Sequence, residues 1–312
     1  MILASQILWH RVLIDVADPD AARELQRMYQ RAEHQLAPVA SVRLTVSGDA
    51  TNGYRIADGD DMFACVPSPR AVLDEVFART YRRAFELASL KGWVRFHGAV
   101  AGVAGARLAI VGASGAGKTT MAVALLARGH AVETDESFVA RHGEVLGVAR
   151  RLHVKDGPPG LVAGTTWLPD APILDAQERL RVVDPSDHGF AWHLPVGPID
   201  AIVVVERTSE RSSIEPLGAG TAVQGLIAES FPVVEPRAAV VREASNLVRG
   251  RAIYLLRNGP DGRAPQLLID LASPRSAGGC TALGNVEKAK VLGLETLPGN
   301  STSSLPTGRR MR

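Results

Sequence analysis

The stretch from Gly112 to Thr120, GASGAGKTT, brings together the residue types that bind phosphate. It fits the P-loop pattern G-x-x-x-x-G-K-[ST], in which glycines let successive backbone N–H groups converge on phosphate oxygens. Lys118 is expected to bridge the outer phosphates, and the Thr119 hydroxyl to ligate Mg²⁺. We therefore predict that ATP and Mg²⁺ are held by Gly112, Ala113, Ser114, Gly115, Ala116, Gly117, Lys118, Thr119 and Thr120.

The segments on either side of this loop have the patterns that a P-loop needs. The apolar run RLAIV, residues 107–111, predicts a buried strand. KTTMAVALLARG, residues 118–129, predicts a helix that ends at Gly129 and whose positive N-terminal end attracts phosphate. Strand, loop and helix in this order predict a nucleotide-binding α/β domain.

Two carboxylates, Asp135 and Glu136, follow the short run HAVET, which predicts a return strand after the helix. We expect them at the carboxyl end of a strand beside the P-loop, where ligands bind in open α/β sheets. Asp135 is then a candidate general base that accepts the proton of an attacking hydroxyl. Glu136, together with Thr119, is a candidate Mg²⁺ ligand. The alternative is a pair of turn or helix-capping acids.

Three further side chains are candidates for the site. His97 lies on the predicted strand RFHGAV, which pairs by a tight hairpin with the strand that leads into the P-loop. That hairpin brings its imidazole towards the phosphates as a catalytic group, and the alternative is a core histidine. Arg150 or Arg151 is a candidate for binding phosphate or an acceptor carboxylate, and the alternative is a solvated pair at the end of a strand.

Composition limits the classes of protein that remain. The chain has 312 residues, 46% of them apolar, and a net charge of +2, so we expect a real core and no nucleic-acid partner. Cys65 and Cys280 lack metal-binding spacing, which favours a reduced, cytoplasmic compartment. The first residues contain no sustained apolar run, so we expect neither a signal peptide nor a membrane partner.

The pattern of elements divides the chain into three parts. Residues 1–91 predict a small α+β module: a strand at 11–18, an amphipathic helix at 18–36, a β-meander at 41–66 and a helix from Pro69. Residues 92–272 predict the P-loop domain, and residues 273–312 predict a disordered tail. Within the domain, residues 157–172 are rich in Gly and Pro and predict a mobile flap in which Trp167 contacts substrate.

The stretch from Phe96 to Phe138 resembles the catalytic core of the HPr kinase/phosphorylase family and its divergent relatives, and the likeness extends over residues 93–272. Four features that this family shows in order are found here at His97-Gly98, Gly112 to Thr119, Arg128-Gly129-His130 and Asp135-Glu136. The second acid is Glu136 where the family usually has Asp. The resemblance implies a P-loop kinase core of the HPr-kinase/PEP-carboxykinase-like type, joined to the N-terminal α+β module.

What the resemblance implies is an ATP-dependent kinase that phosphorylates a serine-like hydroxyl on a peptide, a protein or a small molecule. The divergent relatives resemble kinases of free serine and of the serine end of ribosomally made peptides such as lasso peptides, and nothing in the chain chooses the acceptor. Two alternatives stay open: a small-metabolite kinase of the shikimate-kinase type, and a nucleotide-binding regulator without transfer activity. A homo-oligomer is also an open alternative.

Overall fold

The computed structural model describes residues 1–28, 33–34, 36–155, 173–175, 180–190, 192–231 and 235–273. The predicted flap at 157–172 with Trp167, and the predicted tail from residue 274 onward, lie outside these residues and stay predictions.

Within the described residues the fold is mixed α/β. The helices are α1 Pro19–Met28, α2 Pro69–Leu90, α3 Lys118–Leu126, α4 Ala219–Ala228, α5 Arg237–Val248 and α6 Ala264–Ala272. The strands of the first part are β1 Ile2–Ile7, β2 His10–Val16, β3 Glu33–His34, β4 Ala40–Asp49, β5 Gly53–Asp58 and β6 Asp61–Val66. The remaining strands are β7 Val94–Val103, β8 Ala106–Val111, β9 Ala131–Thr134, β10 Ser137–Arg141, β11 Glu144–Gly147, β12 Leu152–Lys155, β13 Ile173–Asp175, β14 Leu180–Val183, β15 His193–Leu194, β16 Gly197–Pro198, β17 Ala201–Arg207, β18 Ser213–Pro216 and β19 Ala252–Asn258.

The N-terminal sheet has the strand order β1-β2-β4-β5-β6, and β2 and β4 run parallel. The predicted strand, meander and long helix of this part are confirmed, and the Ser68 hydroxyl caps α2 by accepting from Ala71 N at 3.2 Å. The predicted helix at 18–36 is wrong at its end. It spans Pro19–Met28, and β3 pairs instead with the distant strand β15.

The hydrophobic core of the N-terminal sheet is shared with the rest of the chain. Trp9 and Trp93 lie with their ring centroids 5.4 Å apart, and Tyr81 Oη donates to Ala149 O at 2.6 Å. The same buried cluster includes Val139 and Leu146 from the second sheet. Helix α2 is therefore packed against the domain that carries the P-loop, and one of its faces is available to line a site there.

The second sheet positions the candidate site. Its order is β16-β11-β10-β7-β8-β17-β19-β18, with β9 also paired to β7. Strands β8, β17 and β19 run parallel, whereas β7 is antiparallel to β8, β9 and β10. Polar loops after the parallel strands therefore meet at one edge, which is where the P-loop begins.

No helix among the described residues is both long enough and apolar enough to cross a membrane.

Candidate active site

The P-loop has the backbone geometry that the motif predicts. Gly112 follows β8 with a φ of 155°, and a Cβ there would overlap the backbone of Val205 on β17. Gly117 precedes α3 with a φ of 100°, in the left-handed region that favours glycine. Two of the motif glycines are thus required by the fold as well as by a ligand.

Lys118 lies under this loop and is almost fully buried. Its Nζ donates to Gly112 O at 2.5 Å and to Ala113 O at 3.2 Å. Burial lowers the pKa of the amine, while the carboxylates of Glu229 and Asp135 act in the opposite direction. The amine is held at the centre of the loop, where phosphate oxygens bind in this motif.

Asp135 and Glu136 lie between two strands, β9 and β10, that pair with the same neighbour. β9 and β10 both pair with the same edge of β7, and Gly98 N donates to Glu136 O at 3.0 Å between them. The expectation that the two acids end a strand beside the P-loop is therefore correct only in part. The chain continues beyond them as β10, and β7 lies between β9 and the P-loop strand β8.

This arrangement explains the His97-Gly98 pair. Gly98 pairs with Val111, the last residue before the P-loop, and a Cβ at Gly98 would lie 2.8 Å from Ile110 O and 2.9 Å from the Phe138 ring. Only glycine lets the three strands approach this closely. His97, the neighbouring residue, is held next to both the P-loop and the acidic pair.

Asp135 is a buried carboxylate without a counterion in hydrogen-bond contact. Its side chain is 1% exposed, and neither carboxylate oxygen has a hydrogen-bond partner among the described residues. Burial raises the pKa of Asp135 to about 6, although Arg150 opposes the increase. The nearby Thr119 hydroxyl also opposes the increase, although it does not meet hydrogen-bond geometry. Such a carboxyl can accept and release a proton near neutral pH.

Glu136 differs from its neighbour because its carboxylate forms an ion pair with Arg150. The Glu136 side chain is 33% exposed, whereas Arg150 is largely buried. Of the two candidate arginines, Arg150 therefore reaches the site. Arg151 does not: its Nε donates to Asp184 at 2.9 Å and its Nη1 to Gln26 O at 2.5 Å, away from the P-loop.

His97 faces the same space as Lys118. Burial and the positive charge of Lys118 lower the pKa of His97, so the imidazole is neutral at neutral pH. Its ring also makes an edge contact with Phe231, with centroids 5.8 Å apart. The structure thus places His97 in the candidate site rather than in the core.

One cavity of about 460 Å³ collects these groups. It is lined by His97, Ser114, Gly115, Gly117, Lys118, Thr119, Thr120, Asp135, Glu136, Arg150, His153, Val154, Lys155 and Leu180. Gly112, Ala113 and Ala116 do not line it, but they line a neighbouring cavity on the other side of the loop.

Several polar residues at the site were missed from the sequence, among them His153 and Asn258. His153 Nε2 is buried in the cavity without a partner among the described residues, and burial lowers its pKa to about 3, so the ring is neutral. Asn258, at the end of β19, donates from Nδ2 to Ala116 O at 2.9 Å. The only available signals were a histidine in the alternating run LHVK and an asparagine ending an apolar strand. Both signals are weak.

A further cavity of about 700 Å³ adjoins the P-loop at Gly115, Gly117 and Thr120. Its other walls are the loops after β17 and β19, from Arg207 to Ser209 and from Asn258 to Gly262. It has the size of a small-molecule site and joins the phosphate-binding loop.

The donor groups present suit a magnesium ion that is held partly by phosphates. Among the described residues, no cluster of three or more His, Cys, Asp or Glu side chains has the geometry to hold a metal. Mg²⁺ usually takes one or two protein carboxylates plus phosphate oxygens and waters, and does not need such a cluster. The Thr119 hydroxyl and the two carboxylates at 135 and 136 line one cavity. These groups fit the ion.

The chain shows a weak structural likeness to known proteins. No protein-family model matches the chain, and no curated protein matches its sequence. A structural match is the HPr(Ser) kinase/phosphatase from Coxiella burnetii, which is 12% identical, with a TM-score of 0.30 over 56% of this chain and 86% of that chain. A likeness this weak does not establish a common function.

Proposed function

We propose that the protein is an ATP-dependent kinase that transfers the terminal phosphoryl group of Mg·ATP to a hydroxyl acceptor. The observation that carries the proposal is the buried carboxylate of Asp135, which shares one cavity with the P-loop and has no hydrogen-bond partner among the described residues. A P-loop alone is compatible with many nucleotide-binding proteins. A proton acceptor with a pKa of about 6 beside it suits transfer to an alcohol.

In this proposal the phosphates of ATP lie against the P-loop backbone and Lys118, and the nucleoside occupies the cavity bounded by the loops after β17 and β19. Thr119 and Glu136 would hold Mg²⁺, which would neutralise phosphate charge. Arg150, which pairs with Glu136 in the structure, would then be available to a phosphate oxygen.

Asp135 has the role of orienting the acceptor hydroxyl and accepting its proton. Phosphoryl transfer needs little covalent help, so positioning and proton removal are the main tasks of a side chain. His97 and His153, both neutral, face the same space and are placed to hydrogen-bond the acceptor or a phosphate oxygen. Burial of Asp135 keeps water away from its carboxylate.

The test has two parts. Nucleotide binding is measured with Mg·ATP by titration calorimetry, and transfer is measured with γ-labelled ATP and a panel of small-molecule and peptide alcohols. Lys118→Ala should weaken transition-state stabilisation by about 3–4 kcal/mol. Asp135→Asn should keep nucleotide affinity and reduce turnover by roughly 10²–10⁴-fold. Lys91→Ala, an exposed lysine at the end of α2, is the matched control.

The outcomes separate the alternatives. Labelled acceptor that depends on Asp135 supports a kinase. Tight nucleotide binding without transfer to any alcohol, and without hydrolysis that depends on Asp135, supports a nucleotide-binding regulator and contradicts the proposal. An Asp135→Asn protein that loses nucleotide but keeps its rate at saturation would reassign this carboxylate to the metal.

A further inference from the structure

A second cavity, of about 400 Å³, adjoins the candidate active site on the side of the N-terminal module. It lies between helix α2 and strands β7 and β10, and is lined mainly by aromatic and arginine side chains: Phe77, Tyr81, Arg82, Phe85, Arg95 and Phe231. Glu136 and Arg150 line both this cavity and the one that contains the P-loop. A molecule that fills the second cavity therefore extends to the groups proposed for catalysis.

The wall of this cavity is apolar and partly open. Phe85 is buried, whereas Phe231 is 49% exposed, which leaves a large apolar area in water. An apolar part of a ligand lying against Phe231 would remove that surface from water. Phe231 also makes an edge contact with the ring of His97, which lines the cavity that contains the P-loop.

Arg95 is the polar group of this cavity that stacks on its aromatic wall. Its guanidinium stacks on Phe85 at 3.9 Å from the ring centroid and donates from Nε and Nη2 to Ser137 Oγ, at 3.3 and 3.0 Å. No carboxylate of the described residues lies within ion-pair distance of Arg95. Burial lowers the pKa of Arg95, and the carboxylates of Glu136 and Glu235 oppose that decrease from beyond ion-pair distance. An arginine stays charged under these conditions.

The side chains that line the cavity carry a net positive charge. Three arginines, Arg82, Arg95 and Arg150, line it against one carboxylate, Glu136, and that carboxylate is already paired with Arg150. A partly buried guanidinium that no carboxylate contacts directly is costly, and an anion that pairs with it offsets that cost. A carboxylate fits because the planar guanidinium can donate two parallel hydrogen bonds to it.

We propose that this cavity binds the body of the phosphoryl acceptor, and that the acceptor carries a carboxylate for Arg95 and an apolar or aromatic group for the wall of Phe85 and Phe231. The inference rests on the proposed kinase function, because it identifies the chemical class of the acceptor. Such a carboxylate can belong to a small hydroxy acid or to an acidic residue next to a hydroxyl residue in a peptide.

The experiment compares acids with their neutral amides by titration calorimetry, with and without Mg·ADP. The small-molecule probes are 3-phenyllactate and 3-phenyllactamide. The peptide probes are a capped peptide of phenylalanine, serine and aspartate and its asparagine counterpart. Within the pair that represents the true source, we expect the acid to bind at least about tenfold more tightly, as one charge-assisted hydrogen bond provides.

Arg95→Gln should abolish this preference, and Phe231→Ala should weaken the acid and the amide by similar factors. Arg55→Gln, which removes an exposed arginine of the N-terminal sheet, is the matched control and should retain the preference. Equal binding of acid and amide in both pairs, no binding of either acid, or a preference that survives Arg95→Gln overturns the proposal. Failure of Mg·ADP to bind would contradict the kinase function, whereas the comparison without nucleotide would still test Arg95.

Discussion

Asn258 and Gly117 fit against each other across the base of the P-loop. Asn258 Nδ2 donates to Ala116 O at 2.9 Å, and the same amide nitrogen lies close enough to clash with a Cβ at residue 117. The contact joins the end of β19 to the start of α3, two elements far apart in the sequence. The conformation of the P-loop is therefore supported by a strand that belongs to the wall of the proposed nucleoside cavity.

Gly117→Ala is expected to reduce nucleotide affinity by about tenfold or more, because it adds a clash with Asn258 to the strain of a left-handed φ. Combining it with Asn258→Ala should recover only part of the loss, because the strain remains. Titration with Mg·ATP measures both variants. Gly105→Ala is the control, because Gly105 has a φ of 89° with no atom near its missing Cβ. Equal affinity of Gly117→Ala and the parent would contradict the role given to this contact.

The pH dependence of catalysis should report on Asp135. A general base works in its ionised form, so kcat/KM should fall as the pH decreases through about 6, the pKa to which burial raises this carboxyl. Asp135→Asn should remove this limb of the profile along with most of the rate. His97→Gln should keep the limb. A limb that persists in Asp135→Asn and disappears in His97→Gln would transfer the role of base to the histidine.

The local part of the site could be predicted from the sequence. The P-loop, its strand and its helix follow one another in the chain, and glycine spacing reports the backbone geometry directly. The helix end at Arg128-Gly129-His130 is equally local. Gly129 N donates to Leu126 O and His130 N to Leu125 O, which is a Schellman pattern that ends α3.

Contacts between distant segments could not be predicted in this way. Asn258, Arg95 and His153 acquire their positions from strand order and register, which periodicity in one segment does not specify. The same reason explains the partial error at Asp135-Glu136. The run HAVET indicates a strand, but only pairing with β7 shows that β10 continues along the same edge. The pairing of β3 with β15 likewise overrides the amphipathic pattern that predicted a longer helix.

A buried ion pair beside the site gives a prediction for stability. Arg107 donates from Nε and Nη2 to the two carboxylate oxygens of Glu133, both at 2.7 Å, and also bonds several backbone carbonyls. Arg107→Met should lower the free energy of unfolding by about 3–5 kcal/mol, because it leaves the buried Glu133 carboxylate without its counterion. Urea denaturation at neutral pH measures the change.

The double variant Arg107→Met/Glu133→Gln removes the stranded charge and should be more stable than Arg107→Met alone. The exposed pair Arg23–Asp20 supplies the control, and Arg23→Met should change stability by less than about 1 kcal/mol. A loss at Arg107 no larger than the loss at Arg23 would mean that the bidentate contact contributes little.

Asp135 should also make the protein less stable at neutral pH than it would otherwise be. The pKa of its carboxyl is raised from 3.8 to about 6, so between these values the folded protein binds more protons than the unfolded chain. Stability contributed by this group is therefore present at low pH and is lost as the pH rises through the window, by about 3 kcal/mol in total.

The amide of an asparagine side chain cannot ionise, so Asp135→Asn should escape this loss. We expect the stability of the variant relative to the parent to be greater at pH 7 than at pH 4 by about 2 kcal/mol, as measured by urea denaturation of both proteins at both pH values. Titrating groups that do not interact with Asp135 affect both proteins alike and cancel in the comparison. Asp60→Asn, at an exposed position, is the matched control and should show no such difference. If the stability difference between Asp135→Asn and the parent is the same at both pH values, burial does not raise the pKa of this carboxyl. That result would remove the physical basis for its proposed role as the base.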